Sequence, residues 1–354
     1  MSTPIDSTFA GGFVAPQAAT PFDKFEETKR RAEIGNVAAQ FNLGLCYMNG
    51  DGVAVDKSNA FKWYTLAAEA GVVDAQVNLG SCYVNGNGTT VNKLEAFKWY
   101  TRAAEAGNVS GQFNLGHCYF TGNGVTVDKH DAIKWYAKAA EAGLADAQHR
   151  LGMIYSNGNG VEVDKHEAIK WHTRAAEAGH ASAQFSLGIL YDDGDGVAVD
   201  KHEAVKWFKR AAEAGHVKAQ VNLGGCYLEG EGVTLDKHEA LKWYKLAAEA
   251  GSSAAQFNLG NLFLRGDGIP VDKPEAIKWY TLAAKAGDAD AQTKLNILER
   301  GKPAALSSES VDKGEFNNEF EESKRLAELG DADAQNNLGL CYHHGTGDRL
   351  SGTR

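Results

Sequence analysis

The amino-acid sequence predicts an all-α solenoid made of seven complete helix pairs with capping helices. All seven tryptophans are spaced by 36 residues, at Trp63, Trp99, Trp135, Trp171, Trp207, Trp243 and Trp279. Apolar residues between them recur at three- and four-residue spacing, which is the period of a helix face. Helix-start and helix-stop signals recur at the same interval. Such a period indicates units that cover their apolar faces only by stacking on their neighbours.

The first helix of each unit, called helix A, is predicted from apolar spacing and from the glycines that follow it. In the unit 72–107, Ala75, Leu79 and Cys82 line one face of a helix. Gly86 follows and can adopt the left-handed conformation that closes a helix without a side-chain clash.

The second helix, called helix B, begins at a repeated aspartate and ends at an Ala-Gly step. Asp164 is expected to cap the free amides, and Glu167 is expected to reach back to the cap, which together make a capping box. Gly179 marks the end of the same helix. Helix B therefore occupies the second half of each unit.

A glycine follows the core leucine of every helix A, from Leu43-Gly44 to Leu259-Gly260. Glycine inside a helix costs about 1 kcal/mol relative to alanine. We therefore expect a closely packed neighbour at this position, and we assign that role to the tryptophan ring of helix B.

These elements together resemble the Sel-1-like repeat, a relative of the tetratricopeptide repeat, and the match extends over residues 36–300. The resemblance implies a right-handed α/α superhelix that acts as a non-catalytic scaffold or adaptor for protein or peptide partners. It transfers no catalytic residue, metal ligand or cofactor-binding residue. The unit that begins at Asn108 carries the motif as Leu115-Gly116, Tyr119, Gly122, Gly124-Val125, Asp128, Ala132, Trp135-Tyr136, Ala139-Ala140 and Gly143.

The repeats predict the domain organisation of the chain. A disordered leader is expected at 1–20, and a linker is expected at 301–315. An incomplete second array at 316–346 and an irregular tail at 347–354 would complete the chain, and we interpret them as the product of a truncated longer gene or of a degraded duplication. The solenoid itself comprises a capping helix at 21–35, repeats 36–71, 72–107, 108–143, 144–179, 180–215, 216–251 and 252–287, and a closing helix at 288–300.

Charge and hydropathy exclude several functional classes. The formal charge of -10 argues against an electrostatic nucleic-acid binder. No segment has the roughly 18 to 20 consecutive apolar residues that a membrane helix needs. The first 20 residues lack the pattern of a secretory signal. We therefore predict a cytoplasmic protein and leave the nucleus open.

The cysteines and histidines follow the repeat and do not form chemical sites. Cys46, Cys82, Cys118 and Cys226 share a slot that holds Ile or Leu in other units, so we predict reduced, buried thiols. Four histidines share an early position of helix B, one repeat apart, and are predicted to be exposed and to bind no metal, because zinc needs converging ligands. These are His130, His166, His202 and His238.

The candidate partner surface is a set of variable positions on the helices A, which we call the A-helix stripe. In tetratricopeptide-like solenoids these helices line the concave side, so the resemblance implies that the stripe faces a partner. We predict Arg150 and Met153 as the strongest contact residues, because Arg150 interrupts a run of asparagines. The stripe comprises Asn78, Ser81, Asn114, His117, Asp146, Arg150, Met153, Ser186, Ile189, Asn222, Asn258 and Asn261.

Two questions stay open from the sequence. The recurring asparagines either bind a peptide backbone, since the side chain donates and accepts hydrogen bonds, or tie neighbouring repeats together. Three functions are considered: a scaffold, a regulatory module of a longer signalling protein, and the penicillin binding that has been linked to cysteine-rich relatives. The last alternative requires two cysteines per repeat, and this chain has at most one.

Overall fold

The computed structural model describes residues 20–266 and 268–300. Within these residues, sixteen helices follow one another, beginning with α1 at Pro21–Glu33. The helices A are α2 Val37–Asn49, α4 Val73–Asn85, α6 Val109–Thr121, α8 Ala145–Asn157, α10 Ala181–Asp193, α12 Val217–Glu229, α14 Ser253–Arg265 and α16 Ala289–Arg300. The helices B are α3 Lys57–Glu69, α5 Lys93–Glu105, α7 Lys129–Glu141, α9 Lys165–Glu177, α11 Lys201–Glu213, α13 Lys237–Glu249 and α15 Lys273–Lys285.

Most of the predicted leader, the linker, the second array and the tail lie outside the described residues. The described residues up to Leu295 form one compact unit, and a second unit begins at Asn296. Of that second unit, only the end of α16 at residues 296–300 is described.

From α1 to α15, each helix packs on its neighbours in the chain. Helix α2 packs on α3 within a repeat, and α3 packs on α4 of the next repeat. The seven A–B pairs therefore stack in sequence order after α1. The predicted fold class, a right-handed α/α solenoid with capping helices, is confirmed.

The ends of the helices match the sequence signals except in one respect. The Asp164 carboxylate accepts a hydrogen bond from the Glu167 amide at 3.0 Å, as predicted for a cap. The Glu167 carboxylate does not return to the cap but binds the Lys170 ammonium at 2.8 Å. The predicted return bond is wrong because a charged donor lies one turn further along the helix. A reciprocal capping box does form at the start of α1, between Thr20 and Asp23.

The predicted partner of the helix-A glycine is also wrong by one residue. A Cβ atom on Gly224 would lie 2.8 Å from two ring atoms of Tyr244, the residue after Trp243. The same slot lies against the corresponding glycine in the other complete repeats. Its occupants there are Tyr64, Tyr100, Tyr136, His172, Phe208 and Tyr280.

The tryptophan instead packs between two repeats. Trp99 belongs to one buried cluster with Leu79 and Cys82 of its own repeat and Ala68 of the preceding helix B. The guanidinium of Arg102 covers the outer face of its ring, 4.5 Å from the centroid. The tryptophans therefore contribute apolar area and a cation–π contact to the stack.

Two backbone contacts fix how closely successive repeats approach. Gly88, with φ of 73°, lies against the Lys57 carbonyl at the start of the preceding helix B, and a Cβ atom there would collide with it. The buried side chain of Gln148 donates to the Ala140 carbonyl at the end of the preceding helix B, at 3.0 Å. Both contacts recur along the array.

Adjacent glycines in α12 provide a matched test of the aromatic contact. We expect Gly224→Ala to lower the free energy of unfolding by about 1–3 kcal/mol, because the new methyl would overlap the Tyr244 ring. Gly225→Ala should raise it by about 1 kcal/mol, because its Cβ would lie 3.6 Å from the nearest neighbouring atom, the Tyr244 hydroxyl oxygen, and helix propensity improves. Chemical denaturation of both variants measures the difference. Equal changes in both would contradict the assigned contact.

Candidate protein-binding surface

The structure places every predicted residue of the A-helix stripe on a helix A, at or near the surface. His117, Asp146 and Met153 are exposed, and the other nine are half-buried. Since equivalent slots repeat once per helix pair, the stripe runs along the array in steps of one repeat.

The first part of the stripe borders an open groove of about 270 Å³ between α2 and α4. Leu45 and Met48 give it an apolar lining, and Asn49, Asn78 and Ser81 give it amide and hydroxyl groups. The sequence analysis did not select Met48. The groove therefore combines apolar area with groups that donate and accept hydrogen bonds, which is a common composition for a binding site.

Several polar residues of the stripe bind the aromatic residue that lies against the helix-A glycine. The Ser81 and Tyr100 hydroxyls lie 3.1 Å apart, and the Tyr280 hydroxyl donates to the Asn261 side chain at 2.8 Å. The Asn78 side chain also lies beside the Tyr64 hydroxyl of the preceding repeat and partly offsets the rise in its pKa caused by burial. At Asn78 this contact supports the alternative that asparagines tie neighbouring repeats together.

Asp146 also takes part in a contact between repeats. Its carboxylate lies 3.2 Å from Nε2 of His180, the residue that caps α10. The other ring nitrogen of His180 accepts the Ala183 amide at 3.1 Å. Asp74 makes the equivalent contact with the cap residue Asn108 at 2.9 Å. Asp146 therefore orients the start of the next helix A, which is a structural role that sequence reasoning did not assign to it.

Arg150 lies near enough to His117 and Tyr136, in the middle of the stripe, for its charge to act on both. The side chain of Arg150 is half-buried, and no described carboxylate forms an ion pair with it. Partial desolvation, and then the positive charge of Arg150, lower the pKa of His117. Burial raises the pKa of Tyr136 to about 12, and its hydroxyl has no hydrogen-bond partner among the described residues.

A cluster of histidines lies beneath this part of the stripe. Nδ1 of His149 is 3.3 Å from Nδ1 of His172, and the rings of His149 and His180 are 4.7 Å apart. Desolvation, and then the charge of neighbouring histidines, lower the pKa of His149 to about 3 and that of His172 to about 4. Both rings are therefore neutral near pH 7. Sequence reasoning missed the pair, although His149 fills a slot held by Phe or Val elsewhere, and His172 fills the slot of the aromatic ring.

The histidines and cysteines that sequence analysis did consider lie where it placed them, with one exception. The four helix-B histidines are exposed. Cys82, Cys118 and Cys226 are buried and free, and burial raises the pKa of each thiol to about 11. Cys46 is free but only half-buried. In the part of the chain that the structure describes, no three potential ligands are grouped to hold a metal ion, and no helix has the length and apolar character to cross a bilayer.

These features define the class of protein as a helix-pair solenoid with a continuous side-chain surface on its helices A. The sequence model of the Sel1 repeat family matches seven consecutive segments of the chain and one further segment at 332–350. The chain therefore belongs to the Sel1 repeat family, as the resemblance implied. The consecutive segments are 37–72, 73–108, 109–144, 145–180, 181–216, 217–252 and 253–288.

Solved structures of similar proteins support the same assignment. A protective antigen of uropathogenic Escherichia coli with a Sel1-like repeat fold is 34% identical, with a TM-score of 0.74, over 90% of this chain and 67% of its own. A Sel1 repeat protein from Oxalobacter formigenes is 36% identical, with a TM-score of 0.66, over 77% of this chain and 79% of its own. No curated protein matches the sequence.

The histidine cluster predicts that acid destabilises the fold. An unfolded histidine has a pKa near 6.5, whereas those of His149 and His172 are about 3 and about 4 in the fold. The free energy of unfolding should therefore be highest above pH 6.5 and should fall below it, because the two histidines take up protons only in the unfolded chain. Between about pH 6.5 and its pKa in the fold, each histidine should lower the free energy of unfolding by up to about 1.4 kcal/mol for each pH unit of acidification.

A double variant isolates this effect from the titration of carboxylates. His149→Phe with His172→Tyr installs the residues that fill the same slots in other repeats. Melting temperatures between pH 7 and pH 5 should fall further for the natural protein than for the variant. His180, His216 and Arg150 face position 149 and are present in both proteins. An identical pH dependence would show that the pair does not couple folding to protonation.

Proposed function

We propose that the protein is a non-catalytic interaction scaffold that binds protein or peptide partners along the A-helix stripe, on the concave side of the solenoid. The observation that carries the proposal is the groove between α2 and α4. Its apolar lining, Leu45 and Met48, lies beside the amide groups of Asn49 and Asn78. Solenoids of Sel1 repeats commonly serve as protein-interaction scaffolds, which supports the same function.

The partner proposed is an extended protein segment. A peptide backbone offers donors and acceptors in a regular series, and asparagine side chains can satisfy both. Exposed Met153 and half-buried Ile189 supply apolar contacts further along the stripe. Asn114, Ser186, Asn222 and Asn258 supply further polar groups at equivalent positions. The array at 36–300, with its capping helices, is the proposed binding unit.

Charge and thiol chemistry favour this partner class and an intracellular site of action. The charge of -10 disfavours nucleic acid and anionic membrane surfaces. Four free cysteines are consistent with a reducing compartment, where structural disulfides are rare. We therefore propose a cytoplasmic scaffold.

An enzymatic role as a penicillin-recognising protein has less support. That activity belongs to a cysteine-rich branch with a disulfide in each repeat, and the described cysteines here are unpaired. We expect no hydrolysis of a chromogenic cephalosporin above a protein-free control. Turnover that persists in pure protein would contradict the proposal.

A pair of substitutions in the fourth repeat tests the binding surface. Met153→Glu places a charge on the stripe, whereas Val163→Glu places one in the loop before helix B, and the two residues are 38% and 56% exposed. Peptides selected from a random library on the folded protein provide the probe. We expect Met153→Glu to weaken their binding at least about tenfold, because burying an unpaired charge at a contact is unfavourable.

Val163→Glu should leave peptide affinity unchanged and so controls for the added charge. Circular dichroism and melting temperature establish that both variants are folded. Equal weakening by the two substitutions would place the binding surface elsewhere.

A further inference from the structure

The central part of the stripe contains a guanidinium that has no anionic partner among the residues that the structure describes. Arg150 is half-buried on α8, and no hydrogen bond or ion pair to it occurs among the described residues. Asp146, one turn earlier on the same helix, is already engaged with His180. A charged group that is partly removed from water without a counter-charge is costly to the fold.

The neighbours of Arg150 do not compensate its charge. His117 and His149 lie close enough for the guanidinium to lower the pKa of each, and Tyr136 beside it is a neutral phenol. At the slot of Arg150, the preceding and following repeats carry Asn114 and Ser186, which are also neutral. An anion at this point would be bound by Arg150 and could accept a further hydrogen bond from His117.

The charges further along the stripe favour a carboxylate over a phosphate. A carboxylate carries one negative charge and matches the two parallel N–H donors of one guanidinium. Phosphate groups carry nearly two charges at pH 7 and are usually bound by clusters of arginines. In the next two repeats, α10 and α12 end in Asp193 and Glu229, which would repel a second negative charge.

We propose that Arg150, assisted by His117, is the subsite for an Asp or Glu side chain of the bound peptide. The inference rests on the proposed function, because it names the chemistry of the segment that the A-helix stripe binds. The groove between α2 and α4 then receives an apolar residue of the same segment.

The repeat spacing fixes the separation of these two peptide residues. Arg150 on α8 is about two and a half repeats from the groove between α2 and α4. Packed helices are about 8–10 Å apart, so the separation is about 20–25 Å. An extended chain covers about 3.3 Å per residue. The acidic and apolar residues of the partner should therefore be about six to eight positions apart.

Selection from a library of peptides of about twelve residues, which span about 40 Å when extended, tests the subsite. The selection uses the full chain and its Arg150→Asn variant. Asparagine fills this slot in Asn42, Asn78, Asn114, Asn222 and Asn258, so the variant should fold normally. An enriched peptide is then synthesised with Glu, Gln or phosphoserine at the acidic position, and affinities are measured by fluorescence anisotropy at about 0.05 M and about 0.3 M salt.

We expect the Glu peptide to bind the natural protein about ten- to a hundredfold more tightly than the Gln peptide, the range for a charge-assisted hydrogen bond. The Arg150→Asn variant should bind both peptides with the affinity that the natural protein has for the Gln peptide. Higher salt should weaken only the binding of the Glu peptide to the natural protein. Moving the apolar residue by three positions should weaken binding of the Glu peptide.

The outcomes separate the subsite from the scaffold function. Peptides that bind tightly with Glu and Gln alike, or that prefer phosphoserine, would overturn the carboxylate subsite while leaving peptide binding intact. A library that yields no binder on either protein would overturn the proposed function, and the subsite with it.

Discussion

The contact between an aromatic ring of helix B and a glycine of helix A determines how the two helices of every repeat approach each other. The missing side chain at Gly224 admits the ring of Tyr244, and the same pairing recurs in each complete repeat. The helix tolerates the lower propensity of glycine because the ring fills the space. Alanines of helix B pack against the ring, and the tryptophan packs between one repeat and the next.

That contact also links the core to the A-helix stripe. The polar end of the ring reaches the stripe and contacts Asn78, Ser81 or Asn261, so these side chains serve the fold even where they border a groove. In the fourth repeat the slot holds His172, and the adjacent core residue is also a histidine. The fourth repeat, which carries Arg150 on its surface, therefore also carries unusual residues in its core. Variation from the repeat consensus is concentrated there, in the core and on the surface.

Most of the fold was predictable from the sequence, because the period, the caps and the glycine stops are local signals. Asp164 caps its helix and Gly86 ends its helix as predicted. The errors concern side-chain direction, which repeat spacing alone does not give. Residues 243 and 244 are both aromatic, and only the packed helices reveal that the second lies on the glycine. The groove residue Met48 and the pairing of His149 with His172 likewise depend on contacts between different helices.

A second glycine lies two residues after the glycine that ends helix A, and it bears on the spacing of the repeats. At Gly88 the main chain of one repeat rests on the Lys57 carbonyl of the previous one, and Gly124 and Gly232 make the same contact, so the backbone helps to set the distance between these repeats. Side chains on the stripe can therefore be exchanged without altering the interval at which they are presented. Under the proposed function, substitutions on the stripe would change which side chains meet a partner and would leave their spacing along the array unchanged.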